Sequence, residues 1–162
     1  MSKISPITPN LAVAGALRPE DFAEIRAMGF TAIVSNLPDG ESAAYLTAAE
    51  EAKLAEAAGL GFQHIPTTKF DVLSDRVTGQ MQATLTRFQA PVLAHCASGM
   101  RSAAAWAGAA ARVQPAERVL EALQRAGFNL AAIREELQEQ GGEQHRGPIP
   151  PALDATDGML PT

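Results

Sequence analysis

One stretch constrains the rest of the chain: Pro91-Val92-Leu93-Ala94-His95-Cys96-Ala97-Ser98-Gly99-Met100-Arg101-Ser102. Residues 91–95 are a short apolar run opened by proline, the pattern of a strand buried on both faces. Residues 102–112 are rich in alanine, a strong helix former whose small side chain lets a helix lie close to a sheet. A buried strand that passes through a tight loop into a helix is half of a strand–helix–strand unit. Such units build parallel sheets with helices on both faces.

The remaining segments fit that plan. Residues 4–7 and 11–14 are apolar runs separated by Thr8-Pro9-Asn10, and they predict two edge-type strands joined by a turn. Residues 19–28 predict a helix, with proline first, acids in the first turn, Phe22, Ile25 and Met28 on one face, and Gly29 as the stop. Residues 31–35 predict a central strand, ended by the turn chemistry of Asn36-Leu37-Pro38-Asp39-Gly40. Thr47-Ala48-Ala49-Glu50 is a capping box opening a helix to about residue 58, and residues 61–66 predict the next strand. Ser74 or Asp75 caps a helix with Val77, Met81, Leu85 and Phe88 on one stripe. Helices are also expected over 115–126 and 129–140. The fold class predicted is α/β, a mostly parallel central sheet flanked by helices. One domain is expected over residues 1–141. Residues 142–162, rich in proline and glycine, are expected to be a flexible tail or linker.

Composition narrows the function classes. A net charge of −5 and a pI near 5.2 argue against a nucleic-acid or anionic-membrane surface. No apolar run reaches the roughly 18 residues of a membrane span, and residues 1–6 lack the apolar core of a signal peptide. The single cysteine cannot form an internal disulfide, so a reducing, cytoplasmic setting with a free thiol is expected. His64, His95 and His145 have no zinc-ligand spacing, and no Gly-rich nucleotide fingerprint follows a strand, so neither metal nor cofactor is expected.

In parallel sheets the ligand crevice lies beyond the carboxyl ends of the strands. The turns after Val34, Ile65 and His95 are therefore expected to meet, bringing Asn36, Asp39, Lys69 and Asp71 toward Cys96. The loop of Ala97, Ser98, Gly99 and Met100 ends at a helix start, so its N–H groups form an anion cradle. Arg101 adds a guanidinium fork. That field also favours a thiolate, and the Ser102 hydroxyl is placed to donate to the sulfur. Cys96 is the expected nucleophile and Arg101 the expected anion ligand. His95, on the opposite side of the strand, is expected to brace the loop. The bland alternative is an inert core cysteine with a surface arginine.

Strand-His95-Cys96-loop-Arg101-Ser102-helix resembles the signature loop of cysteine-dependent phosphatases. More closely, the chain resembles the beta-lactamase-hydrolase-like phosphatase-domain family, also described as a bacterial sulfur-transferase family. The likeness runs through Ile4-Ser5-Pro6, Val13-Ala14-Gly15, Pro19-Glu20-Asp21-Phe22, Asn36-Leu37-Pro38-Asp39-Gly40-Glu41, His64-Ile65-Pro66 and the loop itself. It implies a tyrosine-phosphatase-like fold of dual-specificity type, with Cys96 as nucleophile and Arg101 as anion ligand. The family usually has arginine where Leu37 and Ala97 stand, so two anion contacts are absent.

Two reactions remain open. Phosphatases of this type place five residues between cysteine and arginine, whereas four stand here, the spacing of rhodanese-like sulfur transferases. A phosphatase also protonates its leaving group, for which Asp71 and Asp75 are the candidates, Asp75 serving equally as a helix cap. Sulfur transfer needs no acid. The expectation is sulfane-sulfur transfer through a Cys96 persulfide, slightly ahead of phosphate-monoester hydrolysis through a phosphocysteine, with a non-catalytic binding module as the third reading. The resemblance further implies a fused or neighbouring sulfide-oxidising enzyme as partner.

Overall fold

The computed structural model of the chain describes residues 3–156. Five strands, β1 (Ile4–Thr8), β2 (Leu11–Ala14), β3 (Ala32–Ser35), β4 (Gly61–His64) and β5 (Val92–His95), form one sheet in the order β1-β2-β5-β3-β4. β1 runs antiparallel to β2, and the other neighbours are parallel. β2, expected as an edge strand, lies inside the sheet between β1 and β5, and all four of its residues are buried. Leu11-Ala12-Val13-Ala14 carries no polar alternation, which is the signature of burial on both faces rather than of an edge.

Among the described residues, six α-helices surround the sheet: α1 (Asp21–Ala27), α2 (Ala48–Ala58), α3 (Asp75–Arg87), α4 (Met100–Ala110), α5 (Ala116–Arg125) and α6 (Arg134–Gln138). Side chains alternate across each strand. Leu93 and Ile33 therefore face Phe22 and Ile25 of α1 and Ala55 of α2. Val92, Ala94 and Val34 face Met81 and Leu85 of α3, Trp106 of α4 and Leu123 of α5. The Thr47 capping box is formed, and Ser74 rather than Asp75 is the cap of α3. The helix expected over 129–140 is split into a 3-10 turn at Ala131–Ile133 and the short α6. Leu137 is the one buried residue of α6, too little apolar surface to hold a longer helix.

The boundary expected at residue 141 does not hold. Beyond it the chain folds back over α4, and Ala152, Leu153 and Ala155 are buried. The Trp106 indole donates to the Ala152 carbonyl (2.9 Å). Buried Gln114 donates to Leu153 O (2.7 Å) and accepts from Ala155 N (2.8 Å). A few buried side chains and these hydrogen bonds anchor a segment whose composition reads as linker. The part of the expected tail over residues 157–162 lies outside the described residues. No helix among the described residues is long and apolar enough to cross a membrane.

Ending the chain at Gly141 is expected to red-shift the emission of Trp106, the single tryptophan. It should also lower the unfolding free energy by roughly 3 kcal/mol or more, about 1 kcal/mol for each buried hydrogen bond. Unchanged emission and an unchanged denaturation midpoint would place the segment outside the core.

Candidate active site

The strands end flush. Ala14, His95 and Ser35 pair side by side, and Ser35 pairs with His64, so four parallel strands stop on one line. One residue further the same ladder continues: Cys96 N–H donates to Ala14 O (3.2 Å), Asn36 N–H to His95 O (2.7 Å) and Ile65 N–H to Ser35 O (2.8 Å). Cys96 is thus fixed by sheet geometry and is buried, with no measurable exposure.

Two glycines shape the loop around the sulfur. Gly15 lets the exit of β2 lie against the loop, since a Cβ there would meet the Ala97 carbonyl oxygen at 2.9 Å. The Ala16 N–H donates to that same oxygen (3.2 Å). Gly99 sits at φ +96°, a left-handed conformation that side chains other than glycine rarely adopt. This bend aims its N–H at the Cys96 Sγ (3.1 Å) and starts α4 at Met100, two residues earlier than expected. Arg101 and Ser102 therefore stand in the first turn of α4.

Asn36 joins the elements behind the loop. Its Oδ1 accepts from Ser102 Oγ (2.8 Å). Its Nδ2 donates to Ile65 O (3.0 Å) and lies 3.2 Å from Thr67 Oγ1. All of these side chains are buried. The expected Ser102 hydrogen bond to sulfur is replaced by this one, because a hydroxyl has a single proton to give. Ser102 acts on the site by tying α4 to the ends of β3 and β4.

Arg101 reaches Glu41 and the Thr67 carbonyl. Its guanidinium donates bidentately to Glu41, to Oε2 (2.7 Å) and Oε1 (2.8 Å), and to Thr67 O (2.8 Å). Glu41 raises the Arg101 pKa through its hydrogen bonds; burial opposes this, and the Cys96 thiolate and the Glu41 charge add to the rise. Glu41 is correspondingly held below the usual carboxylate range, by the Arg101 hydrogen bonds first, with burial opposing and the Arg101 charge assisting. Glu41, Arg101, Thr68 and Lys69 line an open recess of about 380 Å³. Phe70 (88% exposed) and Met100 (47%) stand out as exposed apolar side chains in the neighbouring loop and in the cradle. Leu37 is buried, and Ala97 is half-buried. Glu41 had no role assigned from the sequence. The turn Pro38-Asp39-Gly40 before it marks a loop but not the loop's target.

The other expected neighbours are otherwise engaged. Asp71 Oδ1 accepts from Thr68 N (2.7 Å) and Thr68 Oγ1 (3.1 Å), and its Oδ2 from Arg76 (2.8 Å). Burial raises its pKa, but the Arg76 and Thr68 hydrogen bonds and the Arg76 charge outweigh that and leave it below the ordinary value. It is a carboxylate with both oxygens bound and no proton to give. Asp39 accepts from Ala48 N (2.8 Å) at the start of α2. His64 Nε2 lies 2.8 Å from Leu37 O. His95 lies behind the loop, its Nδ1 3.3 Å from Cys96 O and its Nε2 2.7 Å from Glu51 Oε1. Among the described residues no group of three or more His, Cys, Asp or Glu side chains is placed to hold a metal.

The chain matches known proteins in sequence and in fold. A family model described as the phosphatase-like domain of beta-lactamase hydrolase-like proteins covers residues 3–113, which contain all five strands and the loop. The beta-lactamase hydrolase-like protein of Agrobacterium fabrum is 30% identical over 96 residues, 59% of this chain and 22% of that protein, so the match spans about a fifth of that relative. A crystal structure of a candidate phosphatase from Neisseria meningitidis is 29% identical with a TM-score of 0.71, covering 85% of this chain and 97% of that one. A kinase-associated phosphatase with its catalytic cysteine replaced by serine superposes with a TM-score of 0.65 at 17% identity, covering 90% and 98% of the two chains. This likeness establishes the tyrosine-phosphatase-like fold. The chain belongs to the phosphatase-like domain family of beta-lactamase hydrolase-like proteins.

Proposed function

We propose that the protein is a cysteine-dependent phosphatase-like enzyme in which Cys96 attacks a small anion seated between the loop N–H groups and Arg101. The observation that carries this reading is the Gly99 N–H directed at Sγ from the start of α4 (3.1 Å). It stabilises the nucleophilic form and leaves the loop as an anion cradle. The transferred group is, on the first reading, a phosphoryl group, supported by the family description and by the Neisseria meningitidis relative. The Cys96 thiolate attacks phosphorus in line, the bond to the leaving oxygen breaks, and water then hydrolyses the phosphocysteine to phosphate and free thiolate. With Asp71 held as a bound carboxylate, the leaving oxygen receives no proton from it. The substrates that fit are esters of acidic alcohols, such as aryl phosphates.

A second reading has its own support. The four-residue spacing from Cys96 to Arg101, and the Glu41 carboxylate already neutralising Arg101, suit a less charged transferred group. In sulfane-sulfur transfer the thiolate attacks the outer sulfur of thiosulfate and sulfite departs with the bonding electrons. An acceptor thiolate then removes the sulfur from the Cys96 persulfide. No general acid is needed.

Aryl phosphates of graded leaving-group acidity and thiosulfate, assayed side by side, separate the readings. The first predicts phosphate release that falls steeply as the leaving group becomes less acidic. The second predicts an adduct of one sulfur atom on Cys96 and negligible phosphate release. Cys96→Ser should abolish either activity, and a Cys96→Ser protein that stays active sinks both. Arg101→Lys, which loses the bidentate fork, should lower kcat/KM by roughly 10²-fold.

Glu41 gives the site a pH dependence. Its pKa is depressed in the folded protein, so the ion pair is complete above the usual carboxylate range and is lost as pH falls through the folded value. An added anion must exchange with this carboxylate at Arg101. Glu41→Gln should therefore tighten competitive inhibition by sulfate at neutral pH by roughly fivefold, the upper range for a half-exposed pair. The wild type should approach that affinity only in acid. Weaker sulfate binding in Glu41→Gln would mean that Glu41 holds Arg101 ready for the substrate rather than competing with it.

A further inference from the structure

Behind Cys96, on the sheet face covered by α1 and α2, lies a hydrogen-bonded carboxyl–imidazole pair that the reaction does not use directly. Glu51, in the first turn of α2, is 2% exposed, and His95, the last residue of β5, is fully buried. They meet at 2.7 Å between Glu51 Oε1 and His95 Nε2. The other ring nitrogen, Nδ1, lies 3.3 Å from the backbone carbonyl of Cys96 itself.

The Cys96 carbonyl oxygen only accepts, so Nδ1 is the ring nitrogen that donates to it, and Nε2 is left to the Glu51 carboxyl group. A polar pair at this depth is a poor device for stability. Apolar side chains of similar volume fill such sites with equal or greater stability, and Leu54 and Ala55 of α2 already pack on this face. A pair placed here, one residue from Cys96, points to Cys96.

We propose that Glu51 is a positioning residue for Cys96, acting through His95. Its carboxyl group holds Nε2 and so orients the imidazole, and the Nδ1–H fixes the Cys96 carbonyl from behind. Cys96 then has Arg101 with Glu41 against it on one side, and His95 with Glu51 against it behind. The inference rests on Cys96 being the nucleophile, but not on which group it transfers.

The chain has one cysteine and one tyrosine, so thiolate formation can be followed by ultraviolet absorbance against pH, with Cys96→Ser as the blank. This readout needs no reagent to reach the buried sulfur. In Glu51→Gln, which keeps the shape and an acceptor, the thiolate transition should move to higher pH by about one unit. At a fixed pH below both transitions kcat should fall with little change in KM, and the thermal melt should stay cooperative. His95→Gln should shift the transition likewise, and Glu51→Gln/His95→Gln should shift no further than His95→Gln alone. A Glu51→Gln profile that superimposes on wild type overturns the inference while leaving the nucleophile in place, and so do shifts that add in the double variant. If Glu51→Gln does not fold, the comparison of His95→Gln with the double variant decides: equal profiles support the relay and unequal ones overturn it. A wild-type thiol that ionises like free cysteine overturns the inference and the nucleophile reading together.

Discussion

The active site depends on a ladder of backbone hydrogen bonds one residue beyond the sheet. Ala14, His95, Ser35 and His64 stop on one line, and the bonds from Cys96 N–H to Ala14 O and from Asn36 N–H to His95 O carry the order past it. Everything chemical is hung from that row. Cys96 takes its position from β2 and β5, and Asn36 leaves β3 beside it and reaches Ile65, Thr67 and Ser102. A slip of one residue in either pairing would turn Cys96 to the other face and place His95 at the site. The register is held by the core on both faces, Leu93 and Ile33 on one and Ala94 and Val34 on the other. The packing that stabilises the fold and the geometry that positions Cys96 are the same set of contacts.

Much of this was legible in the sequence, because it follows from short-range rules. The strand at Val92–His95, the bend at Gly99, the Thr47 capping box and the Ser74 cap are each set by a few neighbouring residues. The partners of the charged side chains were not legible. Glu41 lies 60 residues from Arg101 and Glu51 lies 44 from His95, and no periodicity or turn rule connects such positions. Asp71 was readable as an acidic loop residue but not as one claimed by Arg76, whose own helix had first to be placed. The segment after Gly141 misled for a different reason. Its anchoring rests on Gln114 and Trp106, which offer hydrogen bonds from inside the core, while its own composition gives no sign of burial.

Carboxyl groups already occupy several of the basic side chains: Glu41 meets Arg101, Asp71 meets Arg76, and Glu51 meets the His95 ring. The Gly99 N–H at Sγ and the first turn of α4 stand at the sulfur itself, both aligned in advance of any ligand. Arginines at positions 37 and 97 would have surrounded an anion with fixed positive charge. With leucine and alanine at those positions, Arg101 is the guanidinium beside the loop, and its fork is filled by a carboxylate. On the proposed function, binding an anion is an exchange of one oxyanion for another on the same guanidinium. Affinity would then be governed by how readily Glu41 yields, and selectivity by how closely the incoming group matches the two oxygens it replaces. A strongly charged dianion would gain less from such a site than from an open one, and the exposed side chains of Phe70 and Met100 in the adjoining segments would be the apolar surface left for a substituent.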